Sequence, residues 1–177
     1  MDRSAFEALS FVVADDNGHM RQILRAILHA LGARNIRDAE DGAKALELIE
    51  SYMPDILITD LKMPILDGIE LTRLIRNPKG RMPFLPIIML TGYTERWRIN
   101  DARDAGVTEF LAKPISSKAL LDRIQMTVDN PRPFVQSKDY FGPCRRRQNS
   151  PFKGEGRRKS DNRELIKLAS DQHYLAD

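Results

Sequence analysis

The chain has 177 residues, 42% of them hydrophobic and 30% charged, which is an ordinary composition for a soluble globular protein. That length suits one domain of roughly 100–150 residues plus an appendage, and no apolar run nears the roughly 20 residues needed to cross a bilayer. The net charge of +3 is uneven: residues 1–130 carry 17 Lys+Arg against 19 Asp+Glu, and residues 131–177 carry 11 against 6, so the body is not a basic nucleic-acid binder.

The opening residues, with acidic Asp2 and no small-residue cleavage site, lack the marks of a secretory signal, and a cytoplasmic location is expected. Leu9–Ala14 reads as a buried strand running into Asp15-Asp16. A helix over 18–31 follows, with Met20, Ile23, Leu24, Ile27, Leu28 and Leu31 at three- and four-residue spacing, and Gly32 stops it. Asn35–Ala39 is a short strand and 42–51 a helix, after which Pro54-Asp55 introduces the strand Ile56–Thr59, running into Asp60. Asp67-Gly68 begins a third helix with Ile69, Leu71, Leu74 and Ile75 on its buried stripe, broken at Asn77-Pro78-Lys79-Gly80.

Pro86–Leu90 is a fourth strand, running into Thr91, and Glu95–Ala105 a more polar helix. Gly106–Leu111 gives the fifth strand, followed by Lys113, and Ser116 caps a last helix with Ala119, Leu120, Ile124 and Val128 buried. Strict alternation of strand and helix predicts an α/β fold: a doubly wound, five-stranded parallel sheet covered on both faces. Residues 1–130 form this domain.

From Pro131 the alternation stops. Residues 131–177 are rich in Pro, Gly and Arg and read as an irregular basic extension, with a short helix near 162–170. Gly142-Pro143-Cys144-Arg145-Arg146 and Gly154-Glu155-Gly156-Arg157-Arg158 echo each other. Pro133-Phe134, Tyr140-Phe141 and Phe152 lie as aromatic anchors among arginines, which suits a segment that orders on a surface. Cys144 is the sole cysteine, so no intramolecular disulfide forms. His19, His29 and His173 have no metal-ligand spacing.

In a parallel sheet the ends of strands one, three, four and five gather at the C-terminal edge, where open α/β folds place ligand sites. Asp15, Asp16, Asp60, Thr91 and Lys113 would meet there. Three carboxylates so close resist joint ionisation unless a cation compensates. A hard divalent ion such as Mg²⁺, taking one or two carboxylates, waters and a phosphate oxygen, fits that need. A carboxylate beside Mg²⁺, an ammonium and a hydroxyl is equipped to accept a phosphoryl group.

These residues, with Asp60 inside Asp-Leu-Lys-Met-Pro-Ile-Leu-Asp-Gly and with the pairs Thr91-Gly92 and Lys113-Pro114, make the chain resemble a response-regulator receiver domain over about residues 8–129. The resemblance implies a flavodoxin-like (βα)5 fold and a two-component signalling protein that catalyses only its own phosphoryl transfer and dephosphorylation. It makes Asp60 the phosphorylated residue, with Asp16, Asp60 and the Lys62 carbonyl on Mg²⁺ and Asp15 assisting through water. Thr91 and Lys113 would bind the phosphoryl oxygens, and Phe110 would be an aromatic switch that follows Thr91. A cis Lys113–Pro114 bond is implied as well. Lys62 and Tyr93 stand where the family controls water access, and their bulk implies a long-lived phosphoryl group.

Rival readings of the fold fail on sequence. A dinucleotide binder needs a Gly-rich first turn, and here that turn is Asp15-Asp16-Asn17-Gly18. A haloacid-dehalogenase-type phosphatase needs an acid two residues after its nucleophile, where this chain has Lys62. The expected partners are a cognate histidine kinase or phosphotransfer protein, a downstream protein target and a second copy of the chain. The extension would dock on its own receiver, on a partner kinase or on another copy of the protein, or serve only as a solubilising tail. Non-specific nucleic-acid binding through Arg145-Arg146-Arg147 and Arg157-Arg158-Lys159 is the alternative output. No membrane role is expected.

Overall fold

The computed structural model describes residues 3–92, 97–145 and 164–166. Its centre is a five-stranded parallel sheet of β1 (Ser10–Ala14), β2 (Asn35–Ala39), β3 (Ile56–Asp60), β4 (Ile87–Thr91) and β5 (Glu109–Ala112), in the order β2-β1-β3-β4-β5. The helices are α1 (Arg3–Ala8), α2 (Gly18–Leu31), α3 (Gly42–Tyr52), α4 (Gly68–Ile75), α5 (Ile99–Ala105) and α6 (Ser117–Asp129). β3 and β4 are buried along their whole length, as the covered central strands of a parallel sheet must be.

Alternation along the strands sorts the core into two faces. Phe11, Val13, Ile58, Ile88 and Leu111 pack with Leu24 and Leu28 of α2 and Leu120 and Ile124 of α6. On the other face Val12, Leu57 and Ile87 meet Ala45 and Ile49 of α3 and Leu71 and Ile75 of α4. A third group, Leu61, Ile69, Met89 and Val107, holds α5 through Ala102 and Ala105 alone.

Local chemistry sets the helix ends. Asn17 caps α2 by accepting from the His19 and Met20 amides, and Gly32 ends it in the left-handed region at φ 114°. Asp41 caps α3 and Ser116 caps α6. Gly106, at φ 103°, ends α5, so β5 starts at Glu109 and not at Gly106. The helix α1 was not expected: six residues are too few to show a period, yet Phe6 is buried and stacks on Phe11, ring centroids 5.8 Å apart. α5 begins at Ile99, with Glu95 and Arg96 outside the described residues.

The extension departs from the irregular segment read from sequence. β6 (Phe134–Ser137) and β7 (Tyr140–Pro143) form an antiparallel hairpin, Phe134 opposite Pro143 and Ser137 opposite Tyr140. Pro143 is tolerated because β7 is an edge strand. Its two-residue turn, Lys138-Asp139, lacks the Asn-Gly or Asp-Gly signature, which is why sequence did not announce it. β8 (Glu164–Ile166) pairs with β6, so this part of the expected 162–170 helix is a strand instead; the rest of that stretch lies outside the described residues.

The hairpin packs back on the receiver at the N-terminal edge of β4 and β5. Phe134 and Phe141 meet Phe84 at 4.9 and 5.4 Å between ring centroids. Under Phe134 lies the Arg76 guanidinium, 5.2 Å from the ring centroid, donating to the Gly106 and Pro83 carbonyls at 2.9 Å each. Burial pushes Arg76 down to about 9, Tyr140 opposing, so it remains a cation at neutral pH. The buried Glu109 carboxylate receives Arg132, from the start of the extension, at 2.8 Å. Phe152 and the arginine clusters from Arg146 onward lie outside the described residues.

Candidate functional site: an acidic cluster at the strand ends

The strand register brings the predicted residues together. Ala14 lies opposite Thr59, Asp60 opposite Leu90, and Thr91 opposite Ala112, so the polar residues that end these strands share one edge. Carboxylate oxygens of Asp15, Asp16 and Asp60 lie within 4.8 Å of one another. Asp15 is fully buried and Asp60 nearly so, whereas Asp16 faces solvent. Lys113 spans the cluster, its Nζ 2.7 Å from Asp60 Oδ1 and 3.0 Å from Asp15 Oδ2. The Lys113 amide donates to the Thr91 carbonyl at 2.8 Å, which ties β5's exit to β4's end. The Lys113–Pro114 peptide is cis, as the sequence resemblance implied.

Electrostatics follow from this geometry. Burial alone would lower the Lys113 ammonium, but its bonds to Asp60 and Asp15 and their charges raise it above its ordinary value. It therefore stays charged across the physiological range. Three carboxylates converge beside the Lys113 ammonium, and the converging donors are all oxygens, a set that suits a hard divalent cation such as Mg²⁺.

The other predicted residues fall as follows. Thr91 is buried at the end of β4. Lys62 is exposed on the loop after Asp60, and Tyr93 lies outside the described residues. Phe110 is half-buried on β5 and packs with Leu61, Ile69, Met89, Ala102 and Ala105, beside α5 and away from the acidic cluster's centre.

Three supports were missed in the sequence. Arg21, on the first turn of α2, donates from Nη1 to the Asp15 carbonyl at 2.7 Å and weakly to that of Asp16 at 3.4 Å, holding the acidic loop. Its place one helical turn past Asp16 was the available signal. Gly68 starts α4 directly against the main chain of Asp60: a Cβ there would meet the Asp60 carbonyl oxygen at 2.2 Å. Asp67 caps α4 through Oδ1 and pairs through Oδ2 with Arg98 at 2.7 Å, a link over 31 positions that no local pattern reveals.

Comparison with known proteins bears on the family and the fold. The response regulator receiver domain pattern matches residues 11–125. The chain belongs to the response-regulator receiver-domain family. It is 35% identical to the chemotaxis protein CheY of Pseudomonas aeruginosa over 117 residues, covering 66% of this chain and 94% of that one. Among solved structures, it resembles the chemotaxis response regulator CheY4 of Vibrio cholerae with a TM-score of 0.60 at 30% identity, covering 67% of this chain and 98% of the other. The receiver domain of a sensor histidine kinase from Pseudomonas aeruginosa, solved with a magnesium ion coordinated in its active-site cleft, superposes with a TM-score of 0.63 at 28% identity, covering 69% and 98%. Receiver domains are signalling modules of two-component systems, and aspartate phosphorylation and Mg²⁺ binding are general to the family. No helix among the described residues is long and apolar enough to cross a membrane.

Proposed function

We propose that this receiver accepts one phosphoryl group on Asp60 from a histidine kinase or phosphotransfer protein and signals by protein contact. The observation that carries the reading is the Lys113 ammonium held between Asp60 and Asp15 at the mouth of a three-carboxylate cluster. A carboxylate oxygen of Asp60 attacks the phosphorus of the donor phosphohistidine as the phosphorus–nitrogen bond breaks, and the imidazole leaves with the electron pair. Lys113 then neutralises part of the charge on the transferring group, and Thr91 supplies a hydroxyl donor to a phosphoryl oxygen.

Asp15, Asp16, Asp60 and the Lys62 main-chain carbonyl are the groups that would hold Mg²⁺. When bound, the ion supplies charge neutralisation for the phosphoryl oxygens. Arg21 keeps the Asp15-Asp16 loop in place by holding both carbonyls. Movement of Thr91 toward the phosphoryl group frees space for Phe110 to turn inward, which alters the surface of β5 and the neighbouring α5. The protein acts only on its own phosphorylation state, and a downstream protein reads the altered surface.

Incubation with a small phosphodonor and Mg²⁺ tests the reading. The intact mass rises by one phosphoryl group for the wild type, and the gain is absent in Asp60→Asn and after chelation of the metal. An undiminished gain in Asp60→Asn would falsify the assignment.

A further inference from the structure

The helix α5 buries little apolar surface for an element that follows β4, and Asp104 on its exposed side pairs with Arg145. Its seven residues bury only the side chains of Ala102 and Ala105, so little apolar area anchors it. Its start is fixed instead by charge. Arg98, the residue before α5, donates to Asp67 Oδ2 at 2.7 Å, both side chains about one-fifth exposed. Asp67 is itself rigid: its Oδ1 accepts the Ile69 and Glu70 amides at 2.9 Å, and Glu70 bonds back to the Asp67 amide. Burial would raise the Asp67 carboxyl, but the Glu70 amide, Arg98 and the Ile69 amide outweigh it and hold it below its ordinary value.

This pair therefore joins the start of α4 to the start of α5. The first is pressed against Asp60 through Gly68. Arg98 follows Thr91 by seven positions in the sequence. Any displacement of the start of α5 away from the start of α4 must stretch or break the Asp67–Arg98 contact. A contact made in one conformer and lost in another shifts the balance toward the first.

We propose that Arg98 is a positioning residue whose ion pair with Asp67 restrains the start of α5 in the unphosphorylated arrangement, and so sets how readily Asp60 is phosphorylated. The inference rests on the phosphoacceptor reading above. Loss of the pair favours the phosphorylated arrangement by about two- to five-fold, the range for a partly exposed ion pair.

The chain's single tryptophan, Trp97, is 71% exposed beside Arg98, with the Arg98 guanidinium 5.8 Å from its ring centroid, and so reports on this place directly. Titration of the full-length protein with beryllium fluoride, a phosphoryl stand-in, in the presence of Mg²⁺ is followed by Trp97 fluorescence and by calorimetry. Arg98→Ala and Asp67→Asn each tighten binding about two- to five-fold; the asparagine retains the cap acceptor while losing the charge. The double variant tightens no further than either single one, and Arg98→Lys stays near wild type. Unchanged or weaker binding in Arg98→Ala, or additive effects in the double variant, overturns the restraint. A wild type that does not bind the probe, or an Asp60→Asn that still does, overturns the phosphoacceptor reading and the restraint together.

Discussion

At the C-terminal edge of the central sheet three carboxylates crowd together beside the Lys113 ammonium, whereas at the N-terminal edge the buried charges are paired: Arg76 with two carbonyls and an aromatic ring, Glu109 with Arg132. The first arrangement crowds like charges together and suits a cation. The second is satisfied and roofed by Phe84, Phe134 and Phe141. Edges built this way divide the labour, with reactivity stored where groups repel and rigidity where they pair. The piece that completes the quiet edge comes from outside the span matched by the family, since Arg132, Phe134 and Phe141 follow residue 125.

Truncating the roof is the strongest way to probe the contrast. Phe134→Ala opens a cavity above Arg76 and removes ring contacts, and a loss of about 3–5 kcal/mol in urea unfolding is expected. Phosphoryl acceptance by the folded fraction should persist, so a variant with native stability would show that the roof is ornamental. The opposite edge answers with the opposite signature. Lys113→Ala removes the ammonium that meets developing charge, and phosphorylation by a small donor slows about 10²-fold or more, while in Mg²⁺, whose charge would offset the lost ammonium, the stability cost stays below that of Phe134→Ala. Equal damage to rate and stability would erase the distinction between the edges.

How far the sequence reached follows the same division. The five strands and five alternating helices were legible because each carries a period or a buried apolar run, and the cluster was legible because each of its residues directly follows such a run. Residues that act through long-range pairing were not: Asp67 and Arg98 are 31 positions apart, and Arg132 meets Glu109 across 23. The hairpin escaped because Lys138-Asp139 is a poor turn signature and Pro133 and Pro143 suggested a loop. The helix expected near 162–170 rested on Leu165, Ile166 and Leu168 alone, and pairing with β6 overrides so short a pattern at 164–166.

Smaller effects sharpen the reactive edge. Lys62→Ala and Tyr93→Ala, by admitting water, should each speed loss of the phosphoryl group a few-fold; decay no faster than wild type would argue against that role. The smallest effect is pH-dependent. Because the folded Asp67 carboxyl sits below its ordinary value, its ion pair stabilises the fold above about pH 4 and that contribution fades as pH falls through the depressed value. The stability gap between wild type and Arg98→Ala, a fraction of a kcal/mol at neutral pH, should therefore close in acid. A gap that stays constant down to pH 2 would mean that Arg98 acts through packing and not through charge.

The central claim is that one carboxylate among three, the one touching Lys113 at the end of β3, takes the phosphoryl group. Peptide mapping by mass spectrometry after treatment with a phosphodonor and Mg²⁺ addresses it most directly. The account predicts a single modified residue, Asp60; modification found on Asp15, on Asp16 or on any peptide lacking Asp60 would contradict it.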